Sequence, residues 1–287
     1  MITTVHRLTM TLSDYIWGGR KLATKYGKGS RSRRRIAESW ENCEKMNDTS
    51  VLLKWIDTDL PTSIHVHPSK EMPEKLGYPC ENENEIWVIV EAEPEGRIGI
   101  GFNRNVTREE VLKALYERTL ELLINNIEPQ PGDCFVVPPG TIHYIDGGVT
   151  LLEVTTKSST SLRLYDWLRD VTTNRDVHVA ESLLAMNFGI HIPIYTRLFD
   201  REEPFQVSCD EETIELNWRN MIGEMIWCES SDQRLLTLLT GEGMLNRSEK
   251  FHQGETVLVP YDGMSLSVAS KCCNLLETKI IKRKKND

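Results

Sequence analysis

Short apolar runs, each followed by turn residues, dominate this chain and restrict its fold more than any other feature. The clearest runs cover residues 51–56, 86–90, 134–137, 150–154, 235–239 and 256–259. Runs of this length between Gly, Pro, Asn and Asp are typical of the strands of a sandwich or barrel. The sequence has neither βαβ alternation nor a complete Gly-rich phosphate loop. The pattern therefore predicts a mainly β protein.

Two segments depart from this pattern and show helical spacing. Thr107 and Glu110 have the spacing of a capping box, in which each side chain binds a backbone N–H at the start of a helix. Apolar residues then recur at helical spacing, and two asparagines followed by a proline supply a stop signal. We expect a helix over residues 107–126 and a weaker one over residues 179–188.

Two other stretches resemble each other. Residues 132–138 and 254–260 both read Gly, an acidic residue, four mostly apolar residues and Pro. Each stretch predicts a turn that leads into a buried strand, with a proline where the strand ends. We therefore expect a duplicated β unit, with the division between the copies between residues 175 and 215.

Length, charge and cysteine content exclude several classes of protein. At about 150 residues per domain, 287 residues suggest two domains or one large β unit. The net charge of −9 argues against nucleic-acid binding, which usually needs a basic surface. The sequence has no apolar run of membrane-spanning length and no apolar signal core near residue 1. Together with the seven irregularly spaced cysteines, these features predict a cytoplasmic protein without membrane or nucleic-acid partners.

Basic residues cluster over residues 25–35 and again over residues 279–285. Charge runs of this kind are typical of a solvated loop and a frayed tail. The first cluster also has the charge needed to face an anionic ligand, so both interpretations stay open for it.

Three histidines and one glutamate form the pattern that carries chemistry. His65 and His67 are two residues apart, which places both imidazoles on one face of a strand. Glu85 begins an apolar run, where its carboxylate can turn inward, and His143 follows a rigid Pro-Pro-Gly turn. Three nitrogens and one oxygen suit a divalent transition metal, with positions left for water or substrate. Taken singly, each of these residues has an ordinary structural or solvated reading.

The turn before the last histidine matches a known motif. Gly132, Pro138, Gly140 and His143 fit the second cupin motif, Gly-x5-Pro-x-Gly-x2-His, at every fixed position. The His-x-His pair and the glutamate fit the first cupin motif with a longer gap. The chain thus resembles the metal-binding cupins, which implies jelly-roll β-barrel units.

Only one of the two predicted cupin units keeps a ligand set, because no histidine follows the second Gly-x5-Pro stretch. We therefore expect a metal-binding cupin domain over residues 1–190, with a helical insertion near residues 107–126. Residues 191–287 are expected to form a second, metal-free cupin-like domain.

Further segments resemble the type I mannose-6-phosphate isomerases, a family of zinc cupins. The matching segments, in chain order, are Trp17-Gly18-Gly19, Glu38-Ser39-Trp40, Lys54-Trp55-Ile56-Asp57, His67-Pro68-Ser69-Lys70-Glu71, Leu151-Leu152-Glu153-Val154 and Arg163-Leu164-Tyr165-Asp166-Trp167. The resemblance covers residues 17–169 well and the remainder faintly. It implies an aldose–ketose isomerisation through a cis-enediol.

The resemblance also implies one zinc ion held by His65, His67, Glu85 and His143. His65 stands where the family usually has Gln, and an imidazole still binds zinc. This change gives the three-His, one-Glu set of iron, nickel and copper cupin oxygenases. Iron, nickel and manganese therefore stay alternatives to zinc.

Four residues are assigned to the reaction and the substrate on the same resemblance. Lys54 and Arg163 match catalytic positions, and both would also contact the substrate together with Lys70 and Trp17. Arg163 has the geometry to bind a phosphate bidentately or to stabilise an enediolate. Without the resemblance, the lysine reads as a strand-edge charge and the arginine as a structural ion pair.

Glu83 departs from the family, which usually has a lysine two residues before the metal-binding glutamate. A carboxylate beside an anionic substrate is costly unless it turns away or a basic side chain compensates for it. The base that transfers the proton is also unassigned, because that lysine is a usual candidate.

The leading hypothesis is a zinc-dependent sugar-phosphate isomerase, most simply of mannose 6-phosphate and fructose 6-phosphate. The alternatives are a non-catalytic sugar-binding cupin, favoured by Glu83, and a cupin dioxygenase on the same ligand set. The expected partner is a small sugar or sugar phosphate, and the chain is expected to be a monomer or homodimer.

Overall fold

A computed structural model of the chain describes residues 6–29, 34–42, 46, 51–72, 83–156, 160–169, 175–209, 212–227, 232–259 and 266–282. Strands dominate these residues, and they pair antiparallel in several sheets. The predicted mainly β, cupin-like fold is therefore confirmed. The predicted apolar runs all lie in strands.

The strands in chain order are β1 His6–Arg7, β2 Thr9–Ser13, β3 Glu38–Asn42, β4 Val51–Asp57, β5 Ile64–Val66, β6 Glu85–Ala92, β7 Ile98–Phe102, β8 Ile124–Ile127, β9 Asp133–Val137, β10 His143–Ile145, β11 Val149–Thr156, β12 Leu162–Tyr165, β13 Ile194–Arg197, β14 Phe205–Cys209, β15 Glu212–Trp227, β16 Gln233–Leu245, β17 Glu249–His252, β18 Thr256–Val259 and β19 Leu266–Lys282. The α-helices are α1 Lys21–Thr24, α2 Arg108–Glu117 and α3 Val179–Ala185, and 3-10 turns cover Leu120–Leu123 and Leu198–Asp200. Within the described part of the chain, none of the helices has the length and apolar character to cross a bilayer.

The chain divides into two compact units. One contains Met1–Tyr15, Arg20–Asp57 and Thr196–Asp287, and the other contains Ile16–Gly19 and Thr58–Tyr195. The contacts thus group N-terminal residues with the C-terminal part of the chain, a grouping that the local sequence pattern does not indicate. The boundary between residues 190 and 191 stays a prediction.

The unit that contains Thr58–Tyr195 holds two antiparallel sheets. In one, β6 pairs with β9 on one side and with β11 on the other. The second sheet has the strand order β12-β5-β10-β7-β8. Its apolar side chains form a core with residues of α2 and α3, including Val111 and Leu183. The central strands β6, β9 and β11 are buried for most or all of their length, as expected of strands covered on both faces.

Helix α2 begins as predicted and ends earlier. The Thr107 hydroxyl accepts the Glu110 N–H at 3.2 Å, and the Glu110 carboxylate accepts the Thr107 N–H at 2.7 Å, which completes the capping box. The helix ends after Glu117, because Arg118 adopts a left-handed φ of +60°. Residues 124–127 then pair with β7 as a strand, so their apolar residues serve a sheet rather than a helical face.

The two similar stretches have similar local structures. Gly132 and Gly254 both adopt a left-handed conformation, with φ of +88° and +87°, which glycine tolerates without strain. Each is followed by a buried strand, β9 or β18. The predicted turn and strand are confirmed in both copies, and Pro260 lies outside the described residues.

The unit that contains Thr196–Asp287 has a seven-stranded sheet in the order β1-β18-β16-β19-β15-β14, with β17 paired to β16. Strands β2, β3 and β4 form a further antiparallel set in this unit. Apolar residues of the long strands β15, β16 and β19, with Phe251, form the core of the sheet.

Lys28, one of the residues of the predicted basic cluster, is buried in this unit rather than solvated. Its ammonium group pairs with the Glu41 carboxylate and with the Gly254 carbonyl, and lies 5.3 Å from the centre of the Trp55 ring. A lysine is buried only where its charge is balanced, as it is here. Residues 30–33 of the cluster lie outside the described residues.

Candidate metal centre

Two neighbouring strands bring the three histidines together. His143 of β10 lies directly opposite His65 of β5, and opposite residues of an antiparallel pair project from the same face. His67 follows β5 by one residue and returns to that face. The ring centres of His65 and His143 are 4.1 Å apart, and His67 lies 5.1 Å from each.

Glu85, the first residue of β6, completes the predicted ligand set. Its Oε1 lies 3.0 Å from His67 Nε2, and its Oε2 lies 3.4 Å from His143 Nε2. The Trp87 indole N–H donates to Oε2 at 3.1 Å and so orients the carboxylate. The structure thus brings all four predicted metal ligands together, although their service as ligands stays a prediction.

Backbone carbonyls set the orientation of each imidazole. Nδ1 of His65, His67 and His143 lies 2.7, 2.9 and 2.8 Å from the carbonyls of Ser63, Thr160 and Thr141. A carbonyl only accepts hydrogen bonds, so Nδ1 carries the proton in each ring. In the neutral ring the lone pair is then on Nε2, which leaves that nitrogen available to bind a metal.

The surroundings of His65 and His67 shift the pKa values of the two rings in opposite directions. Burial, together with the neighbouring His143 and His67, holds the pKa of His65 well below its ordinary value, which keeps that ring neutral. Burial also acts to lower the pKa of His67, but the Glu83 and Glu85 carboxylates outweigh it and raise this pKa well above its ordinary value. His67 therefore holds a second proton more readily than His65 does, and metal binding there would displace that proton.

The donor set fits a divalent cation. His67 Nε2 is buried and forms no hydrogen bond with the described residues, although Glu85 Oε1 lies within ion-pair distance. A buried polar atom without a hydrogen bond is costly, and a cation between this nitrogen and the carboxylate would satisfy both. Three imidazoles and a carboxylate are the ligand types that zinc and similar metals accept.

Glu83 points inward. Its side chain is 3% exposed, and its Oε2 lies 2.9 Å from His67 Nδ1, whereas Glu85 contacts the other ring nitrogen, Nε2. Single ligand atoms of His67, Glu83 and Glu85 also lie within 4.8 Å of one another. The sequence shows the charge reversal at this position, whereas the contact with His67 depends on the fold.

Arg163 lies next to the histidines in the strand ladder. It is directly opposite His65 on β12, so His143, His65 and Arg163 form a row across three strands. The Arg163 Nε–H donates to the Asp176 carbonyl at 2.8 Å, which fixes the plane of its guanidinium group. Its roles in catalysis and substrate binding stay predictions.

The segment that orients Arg163 is held by a buried carboxylate. Asp166 is fully buried and accepts hydrogen bonds from Arg169 Nη2 at 2.8 Å and from Arg175 Nε at 2.9 Å. Trp167, next to Asp166, has a left-handed φ of +53°, a conformation that non-glycine residues rarely adopt. The two ion pairs therefore fix a strained turn and the start of the segment that carries Asp176.

The structure also describes the local surroundings of the other three predicted substrate residues. Trp17 is buried, and its carbonyl accepts the Asp59 N–H at 2.9 Å. Lys70 is exposed on the turn after His67. Lys54 is buried on β4, in the other unit, with its Nζ 4.7 Å from the centre of the Trp40 ring. Their contacts with a substrate stay predictions.

Glu153 is a buried carboxylate that sequence reasoning did not single out. It is buried on β11 directly opposite Trp87, and therefore on the face of the sheet that also carries Glu85. The Leu-Leu-Glu-Val segment that contains it resembles the family as a whole, and this resemblance gave the glutamate no separate role. Alternation along β11 offers the missing signal, because a charged residue on the inward face of a buried strand needs a function or a partner.

Comparisons with known proteins agree with the sequence resemblance. No model of a protein family matches the chain. The mannose-6-phosphate isomerase ManA of Bacillus subtilis is 26% identical over 241 residues, which are 79% of this chain and 76% of that protein.

Solved structures share the fold. A crystal structure of the mannose 6-phosphate isomerase of Bacillus subtilis aligns with a TM-score of 0.75 and 19% identity, over 96% of this chain and 99% of that one. A mannose 6-phosphate isomerase bound with zinc and yttrium aligns with a TM-score of 0.67 and 14% identity, over 98% of this chain and 100% of that one. The resemblance of this chain to the type I mannose-6-phosphate isomerase family is thereby confirmed.

Proposed function

We propose that this protein is a metal-dependent aldose–ketose isomerase of a sugar phosphate, most simply mannose 6-phosphate and fructose 6-phosphate. The observation that carries the proposal is the convergence of three imidazoles and the Glu85 carboxylate in a chain similar to isomerases of that name. The reaction moves one proton between C2 and C1 of the sugar, and a second between O2 and O1, through a cis-enediol.

Zinc is the metal proposed for this site. The ligand types suit it, and a structure of the same fold is named as bound with zinc. A divalent ion held by His65, His67, Glu85 and His143 would supply a Lewis acid for the substrate oxygens. Iron, nickel or manganese in the purified protein would correct the identity of the metal without removing the site.

The protein groups around the site have separate tasks in this proposal. Arg163, on the face that carries His65, supplies a fixed cation for a phosphate or for the developing enediolate. The buried Glu153 carboxylate is the candidate base that takes the proton from one carbon and returns it to the other. Lys54, Lys70 and Trp17 are the further proposed substrate contacts. We place the protein in the cytoplasm, as a monomer or homodimer.

The proposal predicts that His143→Ala abolishes both metal retention and isomerase activity. His143 is fully buried and its Nε2 faces Glu85, so its loss removes one ligand and the strand contact that fixes it. A coupled isomerase assay over hexose and pentose phosphates and free sugars, with zinc supplied and then chelated, measures activity. Metal analysis of the same samples measures retention.

The matched control is His252→Ala, which removes an exposed histidine and should leave both properties unchanged. A fully active His143→Ala protein that holds no metal would contradict the proposal. Sugar binding without turnover on any substrate, with the metal bound, would support the non-catalytic binding module instead. Substrate-dependent oxygen uptake would support the dioxygenase.

A further inference from the structure

One of the three imidazoles is supported differently from the other two. Nδ1 of His65 and of His143 faces a backbone carbonyl. Nδ1 of His67 faces the Thr160 carbonyl and, at 2.9 Å, the Glu83 carboxylate as well. His67 alone among the three has an anionic acceptor at Nδ1 in the described contacts.

The two carboxylates near His67 contact different nitrogens of its ring. Glu85 lies 3.0 Å from Nε2, while Glu83 lies 2.9 Å from Nδ1. The Nε2 atoms of His67 and His143 both face Glu85, so the metal position is on that side. Glu83 therefore contacts Nδ1, the nitrogen of His67 that does not face the metal position. A carboxylate at that nitrogen orients the imidazole and increases the electron density at the other nitrogen.

We infer that Glu83 is a positioning residue for the metal: its carboxylate accepts the Nδ1–H of His67 and thereby fixes Nε2 as a strong ligand atom. A hydrogen bond to an ionised acceptor is roughly twice as strong as one to a neutral carbonyl. Glu83 and Glu85 also supply two negative charges, which together balance a divalent cation. This inference rests on the metal site of the proposed function.

The same geometry changes the meaning of the charge reversal. Because the Glu83 carboxylate is 3% exposed and is bound to His67, its charge is directed at the metal site rather than at the substrate. An acidic residue where the family usually has lysine is thus compatible with an anionic substrate. The departure removes a cation from the site, and a bound divalent metal would offset the negative charge that Glu83 adds.

The test is the affinity of the apo-protein for Zn²⁺, measured by competition with a chromophoric chelator. Glu83→Gln keeps the size of the side chain and removes its charge, so affinity should fall by about 10- to 100-fold. Glu83→Lys should lower it further. The absorption spectrum of the Co²⁺-loaded protein should also change in Glu83→Gln, because the donor strength of His67 is altered.

The matched control is Glu128→Gln, which removes the same charge from an exposed carboxylate that pairs with Arg97. It should bind Zn²⁺ as the unmodified protein does. Circular dichroism of each apo-variant checks folding, and Glu83→Asp is the second variant if Glu83→Gln does not fold.

Two negative results are distinguishable. Unchanged Zn²⁺ affinity and an unchanged Co²⁺ spectrum in Glu83→Gln would overturn this inference and leave the proposed function standing. If His67→Ala and His143→Ala bind Zn²⁺ as tightly as the unmodified protein, the metal site itself is wrong and the proposed function fails.

Discussion

Arg163 combines an oriented cationic group with a fixed position in the strand ladder. Its Nε–H is committed to the Asp176 carbonyl, which orients the remaining guanidinium nitrogens. Lysine at this position keeps a charge but loses the planar, bidentate donor set. We therefore expect Arg163→Lys to lower kcat/KM by about 10- to 100-fold, the loss typical of a hydrogen bond to a charged group.

Steady-state kinetics and metal analysis check this prediction together, because metal content should stay unchanged in Arg163→Lys. The control is Arg104→Lys, at an exposed arginine that pairs with Glu110 near the start of α2. Unaltered kcat/KM in Arg163→Lys would show that the guanidinium group takes no part in the reaction.

At the scale of residues, the sequence predicted which side chains come together at the candidate site, but not the direction in which every side chain turns. His65, His67 and His143 were predictable because motif spacing and strand alternation place them on one face. The partner of Glu83 was not, because a side chain turns toward whichever charge the fold places beside it. Burial of Lys28 has the same origin, since its partner Glu41 is 13 positions away in the sequence.

At the scale of elements, the turn after β12 depends on Asp166. Asp166→Asn removes the charge that Arg169 and Arg175 share and leaves two mostly buried cations without their carboxylate. Breaking a buried ion pair in this way costs about 3–5 kcal/mol. Because Arg175 adjoins the residue that orients Arg163, we expect KM to rise by a larger factor than kcat falls.

Urea unfolding measures the first effect, and steady-state kinetics measures the second. Asp176→Asn is the control, because Asp176 is exposed and contributes its backbone carbonyl, which the substitution retains. An Asp166→Asn protein that matches the unmodified one in both stability and KM would contradict the role of the turn.

Element type was largely predictable from periodicity, whereas element ends were not. The start of α2 was predictable because Thr107 and Glu110 satisfy each other's backbone donors locally. Its end was not, because a left-handed Arg118 has no sequence signal comparable to a glycine. The strand after it needs β7 as a partner, and this pairing is not encoded within the segment.

At the scale of the molecule, the buried Lys28–Glu41 pair joins distant parts of the sequence within one unit. Lys28 also donates to the Gly254 carbonyl, and the Thr256 hydroxyl donates to the Glu41 carboxylate at 2.7 Å. Lys28→Met leaves a buried carboxylate without its cation, so the free energy of unfolding should fall by about 3–5 kcal/mol.

Because both partners are buried, Lys28→Met combined with Glu41→Leu should destabilise the protein by less than the sum of the single changes. Denaturant unfolding of the single and double variants measures this coupling. Arg34→Met, at an exposed arginine that pairs with Asp14, is the control and should have little effect. Additive effects in the double variant would show that the buried pair is not coupled.

The sequence pattern did not predict the grouping of N-terminal residues with the C-terminal sheet, because that grouping depends on contacts between distant residues. The contacts that create it join residues more than 200 positions apart, such as Lys28 and Gly254. Local propensity carries no information about such contacts. The similar stretches that begin at Gly132 and Gly254 indicate a repeated local form, but not where each copy packs.

The row of His143, His65 and Arg163 across three strands also fixes the spacing between these three side chains. Neighbouring strands are about 4.8 Å apart, so successive side chains leave the sheet at increments that the backbone hydrogen bonds determine. Substitution of side chains alone therefore does not change the separation between the histidine end and the arginine end of the row. A lineage can exchange a chemical group within the row, as the histidine at position 65 in place of the family's glutamine illustrates, while the distance between the two ends stays the same.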